Sequence, residues 1–539
     1  MERAPANTYS LILTSVKLLA VGIFLFVSFL YFPMTHDDAY IVARYAENFV
    51  EHSELVFNPG ERISALSSPF HAFVMSFLYA FAGHDGVIVA NKLLSSMLLL
   101  LSVALLLCTF RQNRFLIALI LVLTIASPYV LHWTFGGLET LVLFFLITIL
   151  VLLVYTSTEM NSSRLVLICA IAGLAFVTRF DSVLFLMPVV LQALIKAGQP
   201  KRVLIAVFAG AVLPTLWLAV SKLYYGDFLP TSFYAKMPSP NVDLMMTNAI
   251  YMAEFLFFSG ILPFLLFVFW GLWWKRQHLS PVGYAYSIDN HLSFVIQHLR
   301  STWGVYVGIL LELGYGLTAA TVHMMFSFRL LLPYLPAMIL VLCDLFSKAF
   351  LTYRHAFANS TFRGSYALFC ACLLAFQGYQ AYYTYYIALN GLATVGEWRR
   401  GGIKELMEGG MGALDRVASL IDQHWRGLPV SQERTPRIFA GAEGIVAYNL
   451  TGAFIYGGLM SFRHNCKFDM SLASDYIFVF SRQSDDARNL LSAPNIPKVR
   501  RIFVYNAEST GARLTVFYNP NPQRNRLPPM VNEECLPES

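Results

Sequence analysis

The stretch Met34-Thr35-His36-Asp37-Asp38-Ala39-Tyr40-Ile41 places two adjacent carboxylates directly after a long apolar segment. The chain that carries them has 539 residues, of which 57% are hydrophobic and only 13% are charged. A soluble globular protein carries about twice that share of charged residues, and repeated apolar runs of about 20 residues are typical of membrane spans. The aspartate pair is therefore predicted to follow the first span of a polytopic α-helical membrane protein.

The apolar pattern predicts about eleven membrane-spanning helices. The first run has little positive charge before it and no small-residue cleavage site after it, so we interpret it as a retained span and not as a signal peptide. The predicted spans cover 11–32, 86–110, 115–131, 138–155, 165–178, 182–198, 203–224, 249–273, 302–321, 329–347 and 365–387.

Basic residues concentrate in alternate segments between the predicted spans, and the positive-inside rule places those segments in the cytoplasm. They are Arg111, Arg114, Arg164, Lys196, Lys201, Arg202, Lys275, Arg276, Lys348, Arg354 and Arg363. The N-terminus is then cytoplasmic, and an odd number of spans places the C-terminus outside. The net charge of +6 is thus explained by topology, and we predict no nucleic-acid partner.

The first large outer segment is predicted to cover 33–85. It contains "DDAYIVARYAENFVEH" (37–52), an amphipathic helix with Tyr40, Ile41, Tyr45 and Phe49 on one face. It also contains "PFHAFVMSFLYAFAG" (69–83), whose apolar run is short for a span and is interpreted as an interfacial or re-entrant helix. If that run crossed the membrane, every later span would have the opposite orientation.

The second outer segment, 390–539, has the composition of a soluble domain and is predicted to follow a membrane domain over 1–389. Its short apolar runs "RIFA" (437–440), "DYIFVFS" (475–481), "RIFVYN" (501–506) and "RLTVFYN" (513–519) predict strands, and 402–425 predicts one or two helices. We therefore expect a small α/β domain. Its two cysteines, Cys466 and Cys535, are either free or paired, and the sequence leaves both states open.

Polar and ionisable residues interrupt the apolar pattern in five segments that share the predicted outer face. They are His36, Asp37 and Asp38; Glu139 in "HWTFGGLET" (132–140); Arg179 and Asp181 in "TRFDS" (178–182); Tyr225, Asp227, Tyr234 and Lys236 in "YYGDFLPTSFYAKM" (224–237); and His323 and Arg329 in "HMMFSFRLLLPYLP" (323–336). Each segment alone is consistent with a helix cap or a topology anchor. Because charges near membrane depth are costly unless they pair or line a polar cavity, all five together predict an outward-facing site.

Carboxylates beside fixed cations suit a substrate that carries both hydroxyl groups and an anion. A lipid phosphate needs Arg or Lys at headgroup depth, and a hydroxyl that attacks an anomeric carbon needs a carboxylate to accept its proton. A lipid-phosphate-linked sugar meets both requirements. The chain shows no P-loop or dinucleotide-binding fingerprint, so a nucleotide cofactor is not expected.

These motifs also resemble those of membrane glycosyltransferases of the GT-C fold, in particular the AftB-type arabinofuranosyltransferases. The stretch 36–70, "HDDAYIVARYAENFVEHSELVFNPGERISALSSPF", resembles their first outer loop. "GGLET", "TRFDS", "YYGDFLPTSFYAKM", "FRLLLPYLP" and "AGAEGIVAYNLTGAFIYGGLM" (440–460) resemble their later motifs. Three departures concern the identity of the sugar: Phe180 replaces the usual Pro, the usual Asn is Ser232, shifted within "LPTSF", and the Gly-Asp-Trp that often precedes the tenth span is absent.

The resemblance implies inverting transfer from a polyprenyl-phosphate-linked sugar, such as arabinofuranose, to a glycan or protein acceptor. It implies a multi-pass protein of the bacterial inner membrane whose site and C-terminal domain are periplasmic. Asp37 or Asp38 becomes the base, with Asp37 favoured and Asp38 positioning the acceptor or a divalent cation (Mg or Mn). Arg179, Lys236 and Arg329 become donor-phosphate ligands. The expected substrate-binding residues are His36, Tyr40, Arg44, Glu139, Asp181, Tyr225, Asp227, Tyr234 and His323.

A transporter or flippase of a lipid-linked or polar substrate is the main alternative. Transporters place ionisable groups near the bilayer midplane, on interrupted helices and often in repeated halves. This chain instead places its polar groups at one end of the predicted spans and shows no internal repeat. A mannosyltransferase or a polymer ligase of similar architecture is also compatible with the sequence.

Overall fold

The structure is a computed structural model, and it describes most of the membrane region and the centre of the C-terminal region. The described residues are 6–157, 160–235, 241–278, 281–319, 326–348, 360–386, 412–432, 435–439, 444–450, 453–456, 474–481, 500–507 and 512–519. Cys466, Cys535, Lys236, His323 and the first half of the helix predicted over 402–425 lie outside them.

Helices make up nearly all of the described membrane region. They are α1 Ala6–Tyr31, α2 Asp37–His52, α3 Pro69–Thr109, α4 Arg114–Leu123, α5 Pro128–Phe135, α6 Thr140–Tyr155, α7 Ser162–Thr178, α8 Val183–Ala197, α9 Pro200–Tyr225, α10 Thr231–Ala235, α11 Val242–Phe258, α12 Ile261–His278, α13 Pro281–Thr318, α14 Leu335–Phe346 and α15 Ser360–Tyr386. Short 3₁₀ turns at Phe180–Ser182, Phe326–Phe328 and Leu332–Tyr334 interrupt the series.

Each predicted span coincides with a described helix or helix pair. Two predicted spans are bent pairs: α4 and α5 meet at 53°, and α11 and α12 meet at 64° around Gly260, whose φ is +84°. Among the described helices, four are long and apolar enough to cross a membrane, or six when each bent pair counts as one span. The chain is thus a multi-pass membrane protein, and the count of eleven crossings stays a prediction.

Of the three shorter apolar helices, α6, α7 and α14, two lie inside the bundle. Nearly every side chain of α6 and of α14 is buried. A helix that is apolar on all sides needs apolar neighbours on all sides, and here other helices of the bundle supply them. Helix α7 packs closely on α9, where Gly210 lies so near Cys169 that a Cβ at Gly210 would be 2.7 Å from the Cys169 carbonyl oxygen. Small residues of this kind allow membrane helices to approach closely.

Helix α2 begins at Asp37, as predicted for the first outer segment. Its buried face differs from the predicted one, because the small residues Ala39, Val42, Ala43 and Ala46 are buried whereas Phe49 is 38% exposed. Small side chains let the neighbouring elements approach the α2 backbone, and that close packing outweighs the larger apolar area of Phe49. Tyr45 is buried as expected.

Helix α3 breaks at Gly83, whose φ of +67° is in the left-handed region that glycine enters without a steric cost. The part before the break matches the apolar run 69–83. Its side chains Phe73, Phe77 and Phe81 are exposed by 41%, 64% and 78%. Residues four apart share one helix face, so these rings form a single exposed apolar stripe. Such a stripe is consistent with the predicted interfacial helix.

The C-terminal region contains helices α16 (Gly412–Arg426) and α17 (Gly444–Asn449) and a five-stranded sheet. The strands are β1 Arg437–Phe439, β2 Phe454–Tyr456, β3 Tyr476–Ser481, β4 Arg500–Ala507 and β5 Ala512–Tyr518, in the spatial order β2-β1-β3-β5-β4. Strand β1 is parallel to β2 and β3, whereas β5 is antiparallel to β3 and β4. The four predicted strands are present, and the short β2 was not predicted.

Hydrogen bonds join the sheet and α17 to the first outer segment. The Asn58 side chain donates to the Ile455 carbonyl at 2.9 Å and accepts from the Ile455 amide at 3.1 Å. The Tyr448 hydroxyl donates to the His84 carbonyl at 2.6 Å, and the two rings stack with centroids 4.1 Å apart. Strand β2 and helix α17 are therefore seated directly on the loop that carries the aspartate pair.

Candidate active site

Arg329 connects two acidic residues that are remote in sequence. Its Nη1 donates to Asp38 Oδ2 at 3.1 Å, and its Nη2 donates to both carboxylate oxygens of Glu139 at 3.0 and 3.2 Å. The preceding residues Ser327 and Phe328 have φ values of +45° and +60°, which are uncommon for residues with a side chain. This strained turn lies within the 3₁₀ segment Phe326–Phe328 and directs Arg329 toward the first outer segment.

Glu139 lies in the turn between α5 and α6 and is almost completely buried. Burial alone would raise the pKa of this carboxyl, but the charges of Arg329 and Arg179 outweigh it and lower the pKa to about 2. Glu139 is therefore ionised at neutral pH. It serves as a fixed negative charge that holds Arg329 in place.

Arg179 forms a bidentate ion pair with Asp181 in the tight turn after α7. Its Nε and Nη2 donate to the two carboxylate oxygens, each at 2.9 Å, and its Nη1 donates to the Arg329 backbone carbonyl at 3.1 Å. The turn is held by the Ser182 hydroxyl, which donates to the Arg179 carbonyl at 2.6 Å. The two guanidinium groups are thus part of one connected network.

These charged groups line one pocket that is partly open to solvent. Its lining residues come from six segments that are separated along the chain: Ser67, Glu139, Arg179, Phe180, Asp181, Ser232, Phe233, Tyr315 and Arg329. Two guanidinium groups and two carboxylates face a cavity that also has serine, tyrosine and phenylalanine walls. The combination suits a ligand that carries an anion, hydroxyl groups and apolar surface.

The two aspartates of the quoted stretch have different environments. Asp37 accepts hydrogen bonds from the backbone amides of Gly444, at 3.1 Å, and Ile445, at 2.8 Å. It thereby caps the start of α17. Asp38 has a side chain that is 59% exposed and is paired with Arg329 beside the pocket. Asp37 therefore has a docking role in this structure, and Asp38 is the acidic residue that is accessible at the site.

His36 lies beneath this site and stacks on Trp133, with ring centroids 4.6 Å apart. Burial lowers the pKa of His36 to about 4; the charge of Asp38 opposes that change and the charge of Arg329 adds to it. The neutral ring shares a hydrogen bond of 2.6 Å between its Nε2 and Nε2 of His132. Arg329 also lies over the Trp133 ring, at 5.5 Å, so His36 supports the Arg329 side of the pocket and does not line it.

Several predicted substrate-binding residues have structural partners outside the pocket. Tyr40 packs on Tyr448 with centroids 5.6 Å apart, and Arg44 forms a buried ion pair with Glu47 at 2.9 Å. The Tyr225 hydroxyl donates to the Leu55 carbonyl at 2.5 Å. Tyr40 and Tyr225 connect the first outer segment to α17 and α9, whereas Arg44 is paired within α2. The structure does not bring these three side chains to the site.

The segment 224–237 is partly described. Tyr234 is half-buried beside the pocket residue Phe233, with ring centroids 6.1 Å apart. The backbone carbonyl of Asp227 accepts a hydrogen bond from the Ser221 hydroxyl at 2.8 Å, and Asp227 is not among the pocket residues. Lys236 and His323 belong to the stretches that the structure does not describe.

Five pocket residues were not predicted: Ser67, Phe180, Ser232, Phe233 and Tyr315. Phe180 and Ser232 are the positions at which the sequence departs from the motifs that it resembles. These departures marked both positions as unusual but did not indicate that their side chains line the pocket. Tyr315 lies within an apolar span, where one hydroxyl does not interrupt the hydrophobic pattern. Ser67 precedes a helix start in "ALSSPF" and has the composition of an ordinary turn.

The aspartate pair does not have the geometry of the predicted divalent-cation site. Asp37 is directed to the amides of α17, whereas Asp38 is directed to Arg329. Within the described part of the chain, no group of three or more His, Cys, Asp or Glu side chains is arranged to hold a metal ion. A cation at Asp37 and Asp38 stays a prediction.

Comparison with known proteins finds similar structures but no similar sequences. No protein-family model matches the chain, and no curated protein sequence matches it. The fold is similar to crystal structures of ArnT from Cupriavidus metallidurans. ArnT bound to undecaprenyl phosphate matches with a TM-score of 0.53 at 12% identity, over 93% of this chain and 97% of that chain. ArnT in the apo state matches with a TM-score of 0.52 at 14% identity, over 94% of this chain and 98% of that chain. The likeness confirms the predicted architecture, an α-helical membrane protein of the GT-C fold.

Proposed function

We propose that this protein is an inverting glycosyltransferase that moves a sugar, arabinofuranose, from a polyprenyl-phosphate donor to a hydroxyl group of a glycan or protein acceptor. The observation that carries the proposal is one pocket in which Arg179 and Arg329 are held beside Glu139 and Asp181, with Asp38 hydrogen-bonded to Arg329 beside it. The structural similarity to ArnT, which has been crystallised with undecaprenyl phosphate, supports a polyprenyl-phosphate donor.

The donor phosphate is assigned to Arg179 and Arg329. Guanidinium groups bind phosphate oxygens through paired N–H donors, and both groups already have fixed positions before a ligand arrives. The exposed Asp38 is the weakest of their carboxylate partners, because it is the one most open to water. A phosphate oxygen that binds Arg329 therefore replaces Asp38 and leaves the pair with the buried Glu139 in place.

The released Asp38 carboxylate is the proposed general base. The acceptor oxygen attacks the anomeric carbon on the face opposite the phosphate, and its proton passes to Asp38. The bond between the anomeric carbon and the phosphate oxygen breaks, and its electron pair remains on the phosphate. Arg179 and Arg329 stabilise the charge that develops there, which is the main electrostatic contribution to the rate. No step of this reaction requires a metal ion.

Asp37 has a supporting role in the proposal. By capping α17 it fixes the start of α2, and thus the adjacent Asp38, against the C-terminal region.

Arabinofuranose is the proposed sugar because the motifs of 36–70 and 224–237 resemble those of arabinofuranosyltransferases. The site and the C-terminal region are proposed to face the periplasm at the bacterial plasma membrane, because the basic segments would then be cytoplasmic.

The direct test is incubation of the purified protein with undecaprenyl-phosphoryl-arabinofuranose and candidate acceptors, followed by mass measurement of the product. The wild-type protein is expected to add one pentose to an acceptor, and Arg329→Gln is expected to lose that activity. Arg426→Gln is a matched control, because Arg426 pairs with Asp422 on the exposed face of α16 with a side chain 77% exposed. Movement of the donor across proteoliposomes without a new glycosidic bond would instead identify a transporter.

A further inference from the structure

The pocket residues divide into a charged group and a neutral group. Glu139, Arg179, Asp181 and Arg329 carry the charges, whereas Ser67, Ser232 and Tyr315 offer neutral hydroxyls. The geometry points to Ser232 as a specificity-determining residue that binds a hydroxyl group of the transferred sugar. This inference rests on the proposed function, and it divides the pocket into a phosphate side and a sugar side.

Ser232 has a fixed backbone and an unused side chain. The preceding Thr231 donates its amide to the Ser64 carbonyl at 2.8 Å and its hydroxyl to the same oxygen at 3.2 Å, which ties α10 to the first outer segment. Ser232 itself is 6% exposed, and within the described residues its hydroxyl forms no hydrogen bond. A buried polar group without a partner is costly to keep, and such groups are uncommon in native structures unless they have a function.

A sugar hydroxyl fits Ser232 better than a phosphate does. The anion is attracted to the guanidinium groups, which are charged donors, and a neutral serine adds little to that interaction. A hydroxyl both donates and accepts a hydrogen bond, and it therefore matches the hydroxyls of a sugar. The Ser232 hydroxyl is shielded from solvent, and rotation to another staggered χ1 rotamer redirects it when a ligand enters.

The neighbouring residues support the same assignment. Phe233 and Tyr315 also line the pocket and supply apolar area next to a hydroxyl group. Binding sites of this kind combine aromatic walls with a few polar groups that set the ligand's orientation. A site that hydrogen-bonds a substrate hydroxyl discriminates strongly against analogues that lack it, whereas apolar contact discriminates weakly.

The experiment compares two ligands on Ser232→Ala in the full-length protein. Undecaprenyl-phosphoryl-arabinofuranose carries the sugar, and undecaprenyl phosphate carries only the phosphate and the lipid. The variant is expected to bind the sugar-bearing ligand about 3- to 10-fold more weakly, the effect of one lost hydrogen bond, and to bind undecaprenyl phosphate like the wild type. Its Tm is expected to stay the same or to rise, since no internal hydrogen bond is removed. Ser221→Ala, which removes a hydrogen bond that is made, is the control and should lower the Tm.

The outcomes separate this inference from the proposed function. Equal loss of affinity for both ligands would make Ser232 a phosphate or lipid contact and overturn the inference while the proposed function stands. Unchanged affinity for the sugar-bearing ligand would overturn it as well. A lower Tm of Ser232→Ala would show that the hydroxyl has a structural role, and this result would also overturn the inference. If the wild-type protein bound neither ligand, the proposed function itself would fail, and the inference with it.

Discussion

Replacing Gly444 with alanine is predicted to separate α17 from α2. Gly444 is the first residue of α17, and a Cβ there would press into the Asp37 carbonyl oxygen while lying 2.9 Å from the Asp37 carbonyl carbon and 3.1 Å from the Ile41 amide nitrogen. All three are backbone atoms and cannot rotate away. The two segments must therefore move apart by about 1 Å or more to reach normal van der Waals contact.

That displacement breaks the hydrogen bonds from the Gly444 and Ile445 amides to Asp37, which are now 3.1 and 2.8 Å long. Hydrogen bonds to a charged group contribute about 1.5 to 3 kcal/mol each, so the docked state loses about 3 to 6 kcal/mol. Elsewhere in helices, Gly→Ala stabilises by about 0.4 to 1 kcal/mol. The sign of the effect at Gly444 is thus opposite to the ordinary one.

Hydrogen exchange measured by mass spectrometry is a suitable assay. The amides of 444–450 are expected to exchange at least about 100-fold faster in Gly444→Ala, because 3 kcal/mol corresponds to more than two decades in the docking equilibrium. Gly427→Ala is the matched control in the same region, since its nearest contact would be the His424 carbonyl at 3.4 Å. Unchanged or slower exchange in Gly444→Ala would refute the close contact between α17 and Asp37.

Three further predictions concern the acidic residues and the first outer segment. Asp38→Asn is expected to lower kcat by about 10²- to 10⁴-fold with an unchanged Tm, whereas Asp37→Asn should lower the Tm and affect kcat less; the reverse order would make Asp37 the base. Burial raises the pKa of Glu61 to about 7, and the hydrogen bond from Asn58 and the charge of Arg437 offset it only partly. The folded state then binds this proton more tightly than the unfolded state, so protonated Glu61 stabilises the fold fully below pH 4.5, and this stabilisation is lost as the pH rises through about 7. The Tm of the wild type should therefore fall over this pH range, and the Tm of Glu61→Gln should fall less. Parallel curves of Tm against pH for the two proteins would contradict the assignment. Tyr225→Phe is expected to lower the free energy of unfolding by about 0.5 to 1.5 kcal/mol through loss of the hydrogen bond to Leu55 and to leave donor binding unchanged, which a binding titration would check.

The positions of the helices could be predicted from the sequence because a helix that crosses a membrane needs a long run of apolar residues, and such runs are easy to recognise. The segments around Glu139, Arg179 and Arg329 were also predicted to meet, since charges at membrane depth need partners, and the structure brings these residues together in one pocket. The pairing itself was not predictable. The sequence around each residue does not indicate that Arg329 pairs with Asp38 and Glu139 while Arg179 pairs with Asp181. These pairings depend on how the helices pack against one another.

The same limit explains the different environments of Asp37 and Asp38. The two residues are adjacent and chemically identical, and successive residues on a helix point about 100° apart. Only the position of α17, more than 400 residues later in the chain, decides which one is capped. Tyr225 illustrates the same effect, since its motif suggested a ligand contact and its actual partner is a loop carbonyl.

The hydrogen bond from Arg179 Nη1 to the Arg329 backbone carbonyl makes the two cations interdependent. Removing the Arg179 guanidinium also removes a hydrogen bond from the strained turn that positions Arg329. A substitution at Arg179 therefore changes the position of the Arg329 side chain. The effects of single and double replacements by glutamine should therefore be non-additive, with a coupling free energy of about 0.5 to 3 kcal/mol in a double-mutant cycle of donor binding. In evolutionary terms, such a pair would change together or not at all.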